Sequence, residues 1–112
     1  MTDIFIFKKG ELYVGFEMSG HANFCEKNDI LCASLSVLSI NTVNAVEKIC
    51  GVCTEDMDLQ IRDGYLRVIF DIDSIIFEKL RDMQTIIRTF EVGIISLKEE
   101  YNKYIEIYYK EV

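Results

Sequence analysis

The chain has 112 residues, half of them apolar and 28% charged, with a formal net charge of −7 and a pI near 4.6. That length and balance describe one folded domain spanning residues 1–112, and they exclude an intrinsically disordered chain. So acidic a chain is also poorly suited to gripping phosphates, because nucleic-acid affinity rests largely on Lys and Arg, whereas a basic protein segment would be attracted.

No unbroken apolar run approaches the roughly 18 residues of a membrane span. In Met1–Gly10 the lysines follow the apolar residues, the reverse of a secretion signal. The expectation is a cytoplasmic protein with no membrane partner and no direct nucleic-acid partner.

Residues 3–8 and 11–18 read as two strands joined through Lys9-Gly10. That register sets Phe7 opposite Leu12 and Phe5 opposite Val14, with Phe16 and Met18 on the same face and Ile4, Ile6 and Tyr13 on the other. The second face is not plainly polar, which points to a covering partner. Residues 19–28 form a polar loop around one large apolar residue, Phe24.

From Ile30 to about Cys50 the pattern is helical, with Asp29 placed as N-cap. Its apolar residues run nearly all the way round, so the helix is expected to be covered on more than one side. Met57, Leu59 and Ile61 then alternate with polar residues, Asp63-Gly64 turns the chain, and Leu66, Val68 and Phe70 alternate again. A type I′ turn would pair Ile61 with Leu66, Leu59 with Val68 and Met57 with Phe70. Ser74 is placed as the cap of a second helix ending near Glu99 or Tyr101. Its stripe of Ile76, Leu80, Met83, Ile87, Phe90, Ile94, Leu97 and Tyr101 faces the core. Residues 103–109 read as a closing strand. The order β-β-α-β-β-α-β predicts an α+β fold: a mostly antiparallel sheet with two helices on one face.

Four cysteines in a cytoplasmic chain are expected as thiols. Cys50-Gly-Val-Cys53 has metal or redox spacing, but there is no second such pair, and the pair follows a helix C-terminus with Gly51 in the C′ position. Neither a metal nor a cofactor is expected. Cys32 differs, because it falls in the first turn of the first helix, where N–H groups favour a thiolate and are suited to stabilise an oxyanion. His21, the only histidine, lies in the loop leading to it. Cys and His together are the minimal set for acyl transfer: the imidazole takes the thiol proton and returns it to the leaving amine. The same two residues also fit a buried thiol and a solvated imidazole. Cys25 is a rival nucleophile, disfavoured by its neighbour Glu26.

Gly20-His21-Ala22, a short loop, and then Asp29-Ile30-Leu31-Cys32-Ala33-Ser34-Leu35-Ser36-Val37-Leu38 together resemble the signature of the bacterial ribosomal-processing cysteine proteases, the Prp family. Ser34 and Leu35 depart from that pattern, which bears on substrate fit. The resemblance implies a homodimeric cytoplasmic endopeptidase that removes the N-terminal extension of a large-subunit ribosomal protein, number twenty-seven. It implies Cys32 as nucleophile and His21 as general base and acid, with Gly20, Asp29 and Ser36 as supports and Phe24 and Ala33 beside the substrate. For Asp29 and Ser36, a plain helix cap and a plain helical serine fit equally well. Two other readings stand beside it. One is a non-catalytic ribosome-assembly module whose acidic surface holds a basic ribosomal segment, and the other is a thiol redox protein using Cys50 and Cys53.

Overall fold

The structure is a computed structural model describing residues 1–20 and 29–112, Asp29 as backbone only. The elements are β1 (Thr2–Lys9), β2 (Leu12–Gly20), α1 (Asp29–Cys50), β3 (Met57–Arg62), β4 (Tyr65–Phe70), α2 (Phe77–Glu100) and β5 (Ile105–Glu111), with single 3₁₀ turns at Thr54–Asp56 and Ile72–Ser74. This is the expected order and the expected α+β architecture. The strands lie in the order β3-β4-β2-β1-β5. All neighbours are antiparallel except β5, which runs parallel to β1.

One core explains the layering. Ile4, Ile6, Phe16, Leu66, Val68, Phe70 and Ile105 supply the sheet's apolar face. Leu31, Leu35, Val43 and Val46 from α1, and Met83, Ile87, Phe90 and Ile94 from α2, close over it. At its centre the rings of Phe16 and Phe90 stack with centroids 4.1 Å apart. The four middle residues of the predicted α2 stripe are therefore its buried face, as the 3-4 spacing requires.

The first hairpin departs from the predicted register. Lys9 pairs with Leu12, so the turn is Gly10-Glu11, one residue later than expected. Gly10 takes φ 62 while Glu11 does not go left-handed, the sign pattern of a II′ turn. A bulge then falls between Phe7 and Lys8, where the partner strand steps from Gly15 to Tyr13 past Val14. The extra residue shifts the remaining pairs by one, so Ile6 faces Phe16 and Ile4 faces Met18. Ile4 and Ile6 therefore point into the core rather than away from it. The opposite face carries Phe5, stacked on Tyr108 at 4.9 Å, and Phe7, covered by the Arg67 guanidinium.

The second hairpin has the predicted pairs: Ile61 with Leu66, Leu59 with Val68, Met57 with Phe70. Its turn is not type I′, because only Gly64 has positive φ (70) and Asp63 does not, the pattern of type II. Nor does Ser74 cap α2. It closes the 3₁₀ turn, where its hydroxyl donates to the Asp71 carbonyl at 2.7 Å, and α2 begins three residues later, at Phe77, behind Ile76, whose side chain makes no cap bond.

Taken as a helix, Ile30–Cys50 is long enough and apolar enough on average to span a bilayer, with mean hydropathy 1.4, although no unbroken apolar run does. Ser34, Ser36, Ser39, Asn41, Thr42 and Asn44 interrupt it, and one side is packed on α2 and the sheet. Buried Ser39 and Thr42 satisfy their hydroxyls on the helix's own carbonyls, at 3.1 and 2.6 Å. The helix is thus packed along one side, while Ile30, Val37 and Ile49 stay exposed.

Candidate active site

Strand order places the site. Because β4 lies between β2 and β3, the turn of the second hairpin comes to rest beside the end of β2. There the Gly20 N–H donates to the Gly64 carbonyl at 2.9 Å. Gly20 has no positive φ, so what this position demands is space rather than a special backbone turn. A Cβ at this position would stand 3.0 Å from the Thr2 hydroxyl oxygen.

Between this junction and the start of α1 lies a cavity of about 220 Å³. Cys32, Ser36 and Ser39 form its helical wall, spaced four and three residues apart and so on one face. Leu35, Met18 and Leu66 make an apolar floor, and Ile61, Arg62, Asp63, Gly64 and Tyr65 make the opposite wall. Cys32 is half-buried and packed against the core. The Ser36 side chain is exposed, while its carbonyl accepts from the Ser39 hydroxyl. Tyr65 donates to a Glu17 carboxylate oxygen at 2.9 Å, and the Arg62 guanidinium lies 4.3 Å from the centre of its ring. Burial, and then the Glu17 carboxylate, push the Tyr65 hydroxyl's pKa up, keeping it a neutral donor.

The predicted site residues fall into three groups. Cys32 and Ser36 share the cavity wall, and Gly20 lines its mouth. Ala33 does not line the cavity. It is exposed on a shallow groove between the helices, with Val37, Leu38 and Gly93. The helical turn separates it from Cys32 by about 100°, so it faces the groove between the helices rather than the Cys32 cavity. His21, Phe24 and Cys25 lie outside the described residues, as does the Asp29 side chain and the capping role expected of it. His21 nevertheless follows Gly20 directly in the chain.

The second-hairpin wall was not anticipated as part of the site. The Asp63-Gly64 turn was legible, but its position depends on the β2–β4 pairing, which no local pattern signals.

The other cysteine pair has a different character. Cys50 is 5% exposed, and burial raises its thiol pKa, the opposite of what a redox nucleophile needs. Cys53 is exposed. Among the described residues no three His, Cys, Asp or Glu side chains gather as a metal site.

The family model for cysteine protease Prp matches residues 1–106. The chain belongs to the Prp family of cysteine proteases. Prp from S. aureus, solved with a covalently linked product peptide, superposes with a TM-score of 0.72 at 26% identity, covering 98% of this chain and 100% of that one. The same protease solved with a substrate peptide gives 0.79 at 24% identity over the same shares. SMU.848 from Streptococcus mutans gives 0.75 at 24% identity, covering 100% of this chain and 99% of that one. No match was found among curated protein sequences. Family membership makes the chain a cysteine protease rather than a non-catalytic module.

Proposed function

We propose that this Prp-family protease cuts by a Cys32–His21 dyad and removes the basic N-terminal extension of large-subunit ribosomal protein number twenty-seven. The observation that carries the reading is the shared cavity. Cys32 lines it from the first turn of α1, and Gly20, immediately before His21, lines it from the other side.

The helix start favours thiolate at Cys32. His21 takes the thiol proton, and the sulfur attacks the scissile carbonyl to form a tetrahedral oxyanion beside the N–H groups of the first turn. The imidazolium then gives its proton to the leaving amine, and a thioester remains. Water, deprotonated by His21, attacks the thioester and releases the second product and the thiol. Asp29 supports the helix start. Ser36, one turn along the same wall, lies within the cavity as a polar contact for substrate.

The working unit is a homodimer, and the cytoplasm, where ribosomes are assembled, is its place of action. Support for the dimer comes from α1, where Ile30 and Val37 are 71% and 67% exposed, with Ala33 exposed between them on the same side. The charge of −7 suits a basic extension.

The test is cleavage of a synthetic extension peptide by wild type, Cys32→Ala and His21→Ala. Each substitution is expected to lower kcat by about a thousandfold or more. Cleavage surviving both would remove the dyad, and binding of the peptide by wild type with no cleavage would restore the module.

A further inference from the structure

Strand β3 is the outermost of the sheet on the cavity side, and its outer edge has no strand partner among the described residues. An unpaired edge is a hazard that proteins ordinarily blunt with lysine, proline, a bulge or a covering segment. Met57–Arg62 contains neither lysine nor proline, and its register with β4 is unbroken over all six residues. Its apolar side chains are also unusually bare. Leu59 and Ile61 pair with buried Val68 and Leu66, yet they are themselves 37% and 59% exposed.

The edge leads somewhere. Its last two residues, Ile61 and Arg62, line the Cys32 cavity, and Ile40 of α1, 46% exposed, faces them across it. An extended chain laid along β3 would therefore run towards the cavity that Cys32 lines. The hairpin's charge is acidic on balance: Glu55, Asp58 and Asp63 are exposed around this edge, with Asp58 paired to Arg67 and Arg62 the strand's own cation, so a basic chain suits it.

We infer that the free edge of β3 is the substrate-docking track: a basic, extended peptide adds to the sheet as a sixth strand, seats apolar side chains on Leu59 and Ile61, and so delivers its scissile bond to Cys32. Backbone hydrogen bonds supply general affinity, and the two apolar positions supply specificity at alternate residues of the peptide. This inference rests on the proposed assignment of Cys32.

Two measurements test it with the extension peptide. In the first, Leu59→Ser/Ile61→Ser is compared with wild type. Both residues are exposed, so the fold is retained, and KM is expected to rise about tenfold, the scale for losing two apolar anchors, while kcat stays within about twofold. In the second, peptides methylated at one backbone nitrogen at a time are offered to wild type. Weakened binding at every second position is expected, because only alternate amides face β3. An unchanged KM together with no alternation overturns the inference. So does a shift of the Leu59→Ser/Ile61→Ser protein to a smaller oligomer at unchanged KM, which would give the edge to a second copy of the chain. Cleavage surviving in Cys32→Ala fails the catalytic assignment instead, and the KM comparison then still decides the track.

Discussion

The Gly20 N–H and the Gly64 carbonyl meet at 2.9 Å, so the last residue before His21 is pinned to the turn of a hairpin that is distant in sequence. Gly64 needs its left-handed φ of 70, and a Cβ there would stand 3.2 Å from the Gly20 carbonyl oxygen. Gly64→Ala is therefore expected to cost about 1–3 kcal/mol of stability and to lower peptide cleavage as well. Gly10→Ala is the control. It has comparable strain at φ 62, no atom within 4 Å, and sits at the opposite end of β1 and β2. It should lose similar stability in denaturant unfolding and keep its kcat/KM. Equal loss of activity in both would detach the Gly20–Gly64 contact from the site.

The core is expected to fail most sharply at its stacked pair. Phe16 is fully buried against Phe90 and lies midway along β2 between sheet and α2. Phe16→Ala should cost about 3–5 kcal/mol, read as a lower urea midpoint. Phe5→Ala removes a ring stacked on Tyr108 on the open face of the sheet and should cost clearly less.

A carboxylate between two phenols gives the protein an alkaline limit. Tyr109 donates to Glu91 at 2.5 Å and Tyr13 donates to the same carboxylate at 3.1 Å. Burial first, and then Glu91, push the Tyr109 pKa from 10.0 up to about 12. The folded state thus holds this proton more tightly than the unfolded chain does. The stabilisation is complete below pH 10 and is lost as pH rises from 10 towards 12. Tyr109→Phe should show a shallower loss of stability across that window in urea unfolding at stepped pH. An identical slope in both proteins would contradict the linkage.

The exposed side of α1 bears on assembly. Val37 is 67% exposed on the side of α1 that also bears Ile30 and Ala33, so Val37→Asp is expected to move the protein from the proposed dimer to monomer in sedimentation while the monomer keeps its fold by circular dichroism. A wild type that sediments as a monomer at the same concentration would end the dimer account.

How much the sequence discloses differs between the hairpins. The second was legible residue by residue, because unbroken alternation on both sides of Asp63-Gly64 leaves one register that keeps six apolar residues on one face. The first was not, because the extra residue at Val14 cancels the parity on which alternation depends. Asp63 followed by glycine is common to more than one turn type, which is why the pairs were right and the turn class was not. Ser74 had the chemistry of a helix cap, but the chain spends it on a 3₁₀ turn first. At the site, Cys32 and Ser36 could be placed on one wall from helical spacing alone. The opposite wall could not, because it is built by strands meeting across some 45 residues of chain, Gly20 to Gly64.

Reactivity of the thiols follows their settings. Cys53 is exposed, and Cys50 is buried with a raised pKa, so a brief alkylation near neutral pH should mark Cys32 first, Cys53 next and Cys50 last among the described cysteines.

The most direct measurement of the central claim is mass spectrometry of the enzyme acid-quenched during turnover of the extension peptide. A thioester adduct on the fragment containing Cys32, absent from Cys32→Ala, is the predicted result. An adduct on Cys25, Cys50 or Cys53, or full turnover by Cys32→Ala, would contradict it.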